Sequence, residues 1–226
     1  MSEVRPHLLR RVLVRFLGSG IVLAAVLFGT AGTLAYWQAW LYLVPLFGAV
    51  TLALIYLIRT DPGLLERRIR SREARANQRA IISVAGLIIL LAFILPGLDY
   101  RFGWSSVPAA VVVAADGIVL LGYGVFVLVM RENRYASRTV EVDSGQKVIT
   151  TGPYHVVRHP MYIAAIVMYL ASPLALGSAW ALLPALLLPF VIVLRIRDEE
   201  RMLADGLPGY REYQTQTKYR LIPGIW

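Results

Sequence analysis

Arg158, His159 and Tyr162 lie within one short stretch, around Pro160 and Met161, directly before an apolar run that opens at Ile163. Ionisable side chains at the edge of an apolar span are costly, and by default they mark a functional site. Proline is favoured at the first position of a helix and pushes the residue before it out of helical geometry. A helix is therefore predicted to start at Pro160, with His159 at its cap. The free N–H groups of such a start favour an anion. Arg158 adds a bidentate donor for a carboxylate or phosphate. The plainer alternative is an Arg–His pair that only anchors a span to head groups. Gly152-Pro153-Tyr154 on one side and Tyr162 on the other weigh against it.

A second polar block begins at Arg195. Arg195, Glu199 and Met202 share one helical stripe by their spacing of four and three. Glu200 points about 100° away, toward Ile196 and Leu203. Arg195 and Glu199 read either as a surface ion pair, worth little in stability, or as cleft residues. In a cleft the Glu would hold a ribose diol or an amino group, and the Arg a substrate anion. Tyr210 and Tyr213 follow on a short amphipathic tail. His155 and His159 are four apart, but Pro160 opposes one helix through both, and no Glu or Cys lies close by in sequence. A metal site is not expected. The chain has no Cys, hence no thiolate ligand or Cys nucleophile, and it has no Gly-x-Ser-x-Gly turn.

The elements that position these residues are membrane helices. The chain is 58% hydrophobic and 16% charged, against about 25% charged in soluble domains. The net charge of +9 comes mostly from Arg residues flanking apolar spans, a pattern of membrane topology that speaks against nucleic acid. Spans of about 20 apolar residues are predicted at 14–35, 39–58, 80–98 and 107–130. The apolar tract 160–194 is too long for one span, and Ser172-Pro173 with Gly177-Ser178 breaks it into a helical hairpin. The expectation is an all-α polytopic integral membrane protein of about six segments, or five spans and a partial one.

Basic residues at the N-terminus, in 59–79, in 131–158 and after 195 place those segments and both termini on the cytoplasmic side, with only Arg101 opposite. The expected location is a prokaryotic inner (cell) membrane, crossed several times. The connection 61–79 reads as a surface helix facing anionic head groups, or as a solvated, charge-laced link. Thr139–Asp143 alternates like a short strand, Asp143-Ser144-Gly145 signals a turn, and Gln146–Ile149 could pair back across it. The chain divides into N-terminal helices, 1–130, and a C-terminal region, 131–226, that carries the chemistry.

Val148-Ile-Thr-Thr-Gly-Pro-Tyr154, Arg158-His-Pro-Met-Tyr162, the hairpin, Glu199-Glu200-x-x-Leu203, Tyr210-x-x-Tyr213 and Arg220-Leu-Ile-Pro223 together resemble the isoprenylcysteine carboxyl methyltransferase family, which in turn resembles phospholipid N-methyltransferases. The resemblance covers the chain from about residue 130 onward. It implies an all-helical membrane enzyme using S-adenosylmethionine at a cytoplasmic site. By position, Gln146, Lys147, Val148, Ile149, Tyr154, His159, Pro160, Met161, Tyr162 and Glu199 would bind the cofactor. Arg195 would face the substrate, and Arg158 could serve cofactor or substrate. Ala164 stands where the family usually has Gly, and Ala204–Tyr210 replaces a more acidic run.

Methyl transfer from a sulfonium is an in-line displacement in which positioning does most of the work. These residue types suit it, since a zwitterionic cofactor needs cationic, anionic and aromatic partners. A dinucleotide-type site is excluded: Gly18-Ser-Gly20 lacks a third Gly and lies inside the first span. The expected acceptor is a lipophilic small molecule or lipidated substrate reached from the membrane lipids. A phospholipid N-methyltransferase is one alternative. A non-enzymatic membrane protein on the same scaffold is another, although Asp116, the only acidic residue read within a span, is expected to be a buried hydrogen-bonded group and gives little support to an ion path.

Overall fold

A computed structural model describes residues 6–69, 76–133, 135 and 145–226. Two long apolar helices, α1 (Pro6–Ala31) and α2 (Trp37–Thr60), are followed by the short α3 (Pro62–Ile69). Two more follow, α4 (Ala76–Phe102) and α5 (Ala109–Glu132). Each of these four long helices is long and apolar enough to cross a membrane. Their outward faces carry exposed Leu17, Ile21, Leu52, Leu87 and Leu121, an apolar surface that suits lipid rather than water. Among the described residues there is no strand.

The C-terminal half begins with one helical turn, α6 (Pro153–Val156), and α7 (Pro160–Ala175). A second turn, α8 (Leu182–Ala185), leads into α9 (Leu188–Gly206), and α10 (Tyr210–Gln216) closes the helical part. The predicted hairpin is present as α7 and α9. Its break falls at Leu176 and Gly177, after α7 has taken in both Ser172 and Pro173. Pro173 brings no N–H donor to that last turn, and the Ser172 hydroxyl donates to the Met168 carbonyl there at 2.7 Å. With 16 residues, α7 is about 24 Å long, shorter than the four long helices.

Within the connection 61–79, α3 spans Pro62–Ile69 and α4 runs from Ala76, while 70–75 lie outside the described residues. The predicted strand Thr139–Asp143 lies outside the described residues, and 146–150 take no regular structure. Asp116 is buried, as expected, but its Oδ1 has no hydrogen-bond partner among the described residues.

The α7 helix packs along α5 and, at the end away from Pro160, against the start of α2. Tyr36 donates to the Leu176 carbonyl at 2.5 Å, and Tyr42 and Ser172 hydroxyls meet at 2.9 Å. Beside that turn, buried Asp99 accepts from the Ser105 hydroxyl at 2.6 Å and the Ser178 hydroxyl at 2.5 Å. These bonds fix the hairpin tip. They leave the opposite end, where α7 starts and α9 emerges, to form a cavity.

Candidate functional site

At that end a cavity of about 270 Å³ lies between α3, α5, the 146–149 segment, α6, α7, α9 and α10. Pro160 is the first residue of α7 and His159 its cap, as predicted. Gly152, at φ +56°, makes the turn into Pro153 and α6. That turn is tied to the end of α5, because the Thr151 hydroxyl bonds to the Glu132 carboxylate. Tyr154 is buried, with Asn133 Nδ2 donating to its hydroxyl at 3.0 Å. Burial, only partly offset by that hydrogen bond, pushes the Tyr154 phenol up to about 12.

The two polar blocks meet at Tyr162. Its hydroxyl donates to Glu199 Oε2 at 2.6 Å and accepts from Arg195 Nε at 2.8 Å. The stripe of Arg195, Glu199 and Met202 on α9 faces the cavity as the spacing predicts. Arg195 and Glu199 are therefore cleft residues joined through a hydroxyl of the facing helix.

The 100° offset turns Glu200 to the other side, where it is buried. Its Oε1 accepts from Arg158 Nε at 2.6 Å and lies 3.2 Å from His159 Nε2. Oε2 accepts from Arg220 Nε at 2.7 Å. Burial alone would raise the Glu200 carboxyl, but the hydrogen bonds from His159, Arg158 and Arg220 outweigh it and hold it at about 2. Arg158 Nη1 also donates to the Thr217 and Lys218 carbonyls at 2.7 and 2.8 Å. The same turn is bound through backbone, with Arg158 N–H to Tyr219 O and His159 N–H to Arg220 O, each 2.9 Å.

A hydrophobic wall completes the cavity. Tyr210, Tyr213, Leu207 and Tyr154 pack together with Val148, Ile149 and Leu203. Gly209, at φ +83°, reverses the chain between α9 and α10 and so folds the two tyrosines back under α6. Tyr213 then donates to the Tyr154 carbonyl at 2.6 Å.

Every site residue expected from the sequence lines this cavity except Pro160, which sets the helix start. His155 does not join them; it is exposed while His159 is buried. No group of three His, Cys, Asp or Glu suited to a metal occurs among the described residues. Sequence reasoning missed Phe126, Asn133 and Arg68. Arg68 reaches in from α3, with its Nε 3.3 Å from Met130 Sδ, its Nη2 3.2 Å from Met161 Sδ and its guanidinium over Phe126. The available signal was Leu64-Leu65 behind Asp61. Asp61 caps α3 by accepting from Leu64 N–H at 2.9 Å, and the two leucines bury themselves.

Residues 110–207 match the sequence model of the phospholipid methyltransferase family, a family of membrane methyltransferases related to the isoprenylcysteine carboxyl methyltransferases. The match runs from the start of α5 to the end of α9. The chain is also 37% identical over 82 residues to the cobalt-zinc-cadmium resistance protein CzcN of Cupriavidus metallidurans, covering 33% of this chain and 36% of that protein. It is 30% identical over 91 residues to the Delta(14)-sterol reductase TM7SF2 of Mus musculus, covering 39% of this chain and 22% of the reductase. The chain thus spans about a third of the first relative's length and about a fifth of the second's.

Proposed function

We propose that the phospholipid methyltransferase-like segment 110–207, with α3 and α10 completing its walls, forms an S-adenosylmethionine-dependent methyltransferase for a lipophilic acceptor in the membrane. One observation carries this reading. Two blocks far apart in sequence, 146–162 and 195–213, line a single cavity that joins an aromatic and aliphatic wall to a charged Arg195–Tyr162–Glu199 row.

The residues present fit the cofactor. Val148, Ile149, Tyr154, Met161, Leu203, Tyr210 and Tyr213 offer an apolar wall for an adenine ring, and Gln146 and Lys147 add polar groups beside it. Glu199 suits a diol or a cation, and His159 and Tyr162 lie next to the polar part. The volume of about 270 Å³ is near the lower end of the roughly 300–1,000 Å³ usual for ligand clefts. When bound, the cofactor supplies an electrophilic methyl group on a sulfonium, which leaves as a neutral thioether.

The chain's own residues then do three things. The apolar wall keeps water away from the reacting atoms and strengthens each charge in the cavity. Tyr162 fixes the Glu199 carboxylate and the Arg195 guanidinium in one relative orientation, which serves a displacement governed by alignment. Arg195 faces the acceptor, and its charge favours an anionic group such as a carboxylate. Arg158, engaged by Glu200, Thr217 and Lys218, takes a positioning role in this reading rather than contacting the acceptor. Phospholipid N-methylation is the second reading, favoured by the family match itself; there Glu199 is the group placed to take the proton that an ammonium must lose.

The test is transfer of labelled methyl from S-adenosylmethionine to prenylcysteine, phosphatidylethanolamine and quinol-like acceptors by the purified chain in detergent. Label entering one acceptor class, and lost in Arg195→Ala and Glu199→Ala, is the expected result. No transfer to any acceptor by protein shown to be folded would sink the proposal.

A further inference from the structure

We infer that Arg220, outside the family match and not lining the cavity, is a positioning residue that acts through Glu200 on His159; this rests on the cofactor site proposed above. Both oxygens of the buried Glu200 carboxylate are taken. Oε1 lies between Arg158 and His159, and Oε2 belongs to Arg220. Arg158 alone neutralises the carboxylate, so Arg220 is not needed for charge balance. Its contribution is directional. The last torsion of a Glu side chain is broad and roughly two-fold, so a carboxylate held at one oxygen only can swing. Held at both, it keeps Oε1 against the imidazole, and the imidazole lines the cavity.

Arg220 is itself fixed. Its guanidinium lies 5.0 Å over the Trp226 ring, a contact that favours a cation on an aromatic face. Its carbonyl accepts the His159 N–H at 2.9 Å, and its own N–H is bound to the Trp226 backbone oxygen at 3.0 Å. The tail is therefore a strap across the start of α7. It grips residue 159 twice, by backbone directly and by side chain through Glu200. The Arg220 side chain is a third exposed, so replacing it leaves no sealed cavity behind.

The experiment uses the purified full chain in detergent with Arg220→Gln, Arg220→Lys, His159→Ala and the Arg220→Gln/His159→Ala double variant. Thermal unfolding is recorded for each. Titration calorimetry with S-adenosylhomocysteine is expected to show Arg220→Gln binding about tenfold more weakly, the scale of one charge-assisted hydrogen bond, with Arg220→Lys recovering most of the loss. The double variant is expected to bind no more weakly than His159→Ala, because interacting residues are non-additive. Fully additive losses would overturn the proposal.

A second readout needs no ligand. With 15N-labelled histidine, the His159 Nε2 signal, assigned by its loss in His159→Ala, is expected to shift in Arg220→Gln and to stay near its wild-type position in Arg220→Lys. An unmoved signal in Arg220→Gln refutes the coupling. If wild type fails to bind S-adenosylhomocysteine, the cofactor reading falls, and this spectrum still decides the role of Arg220.

Discussion

The Tyr162 hydroxyl donates to Glu199 Oε2 across 2.6 Å, joining the first turn of α7 to a residue 37 positions later on α9. The same oxygen accepts from Arg195, so one phenol sets the spacing of a cation and an anion that share a cavity. Such an arrangement is preorganised: neither charge has to be ordered when a ligand arrives.

Removing that phenol oxygen tests its role without changing the shape of the wall. Tyr162→Phe leaves Glu199 and Arg195 in place but uncoupled. Hydrogen bonds to charged groups contribute about 1.5–3 kcal/mol, so binding of S-adenosylhomocysteine or turnover should fall by roughly ten- to a hundredfold. Calorimetry alongside circular dichroism checks this. An unchanged affinity and rate in a folded variant would remove Tyr162 from the site.

Glu200 differs from its neighbour in the kind of loss expected. Glu200→Gln leaves the buried Arg158 facing Arg220 without the carboxylate between them, and breaking a buried ion pair costs about 3–5 kcal/mol. The outcome is a clear drop in thermal unfolding temperature. Glu199→Gln should leave that temperature nearly unchanged and weaken ligand binding instead. Equal effects of the two substitutions on unfolding would contradict the division of roles.

A pH dependence of stability follows from the same carboxylate. Glu200 is held at about 2 in the folded chain against an ordinary value of 4.5. A depressed carboxylate contributes stability that is complete above its unfolded value and is lost as pH falls through its folded value. Thermal unfolding in detergent should therefore weaken progressively from about pH 4.5 toward about pH 2. In Glu200→Gln the cluster has no such titration, and its part of the slope should disappear. A slope identical in both proteins would assign the acid sensitivity elsewhere.

Much of this site is legible in the sequence, for physical reasons that can be named. Pro160 dictates a helix start, and polar residues are so costly beside apolar spans that Arg158, His159 and Tyr162 stand out. The spacing of Arg195, Glu199 and Met202 gives one helix face directly. What escapes are relations between distant segments. Nothing in the neighbourhood of Glu200 says that Arg158 and Arg220 converge on it. Arg68 sits in a charged connection that reads as surface, and only the burial of Leu64 and Leu65 brings it inward. Gln146–Ile149 reads as a segment that could pair back across the turn at Asp143-Ser144-Gly145, yet it serves as an irregular wall, its apolar residues packed with Tyr154, Tyr210 and Tyr213.

The turn at Gly209 is the fourth point of test. At φ +83° a Cβ would meet only Val148 Cγ2, at 3.9 Å, so Gly209→Ala is penalised by backbone strain rather than by a clash. Left-handed geometry costs an L-residue about 1–2 kcal/mol. The α10 tyrosines should loosen and S-adenosylhomocysteine binding fall severalfold, with Gly209→Asn milder because Asn tolerates that geometry. Alanine and asparagine variants that both match wild type would show that α10 is not a working wall of the cavity.

The central claim is a cofactor site built where the start of α7 meets α9. Equilibrium binding of labelled S-adenosylmethionine to the purified chain in detergent tests it most directly. The account predicts saturable binding by wild type, weakened at least about tenfold in both Glu199→Ala and His159→Ala. No binding by folded wild type, or binding unchanged in both variants, would contradict it.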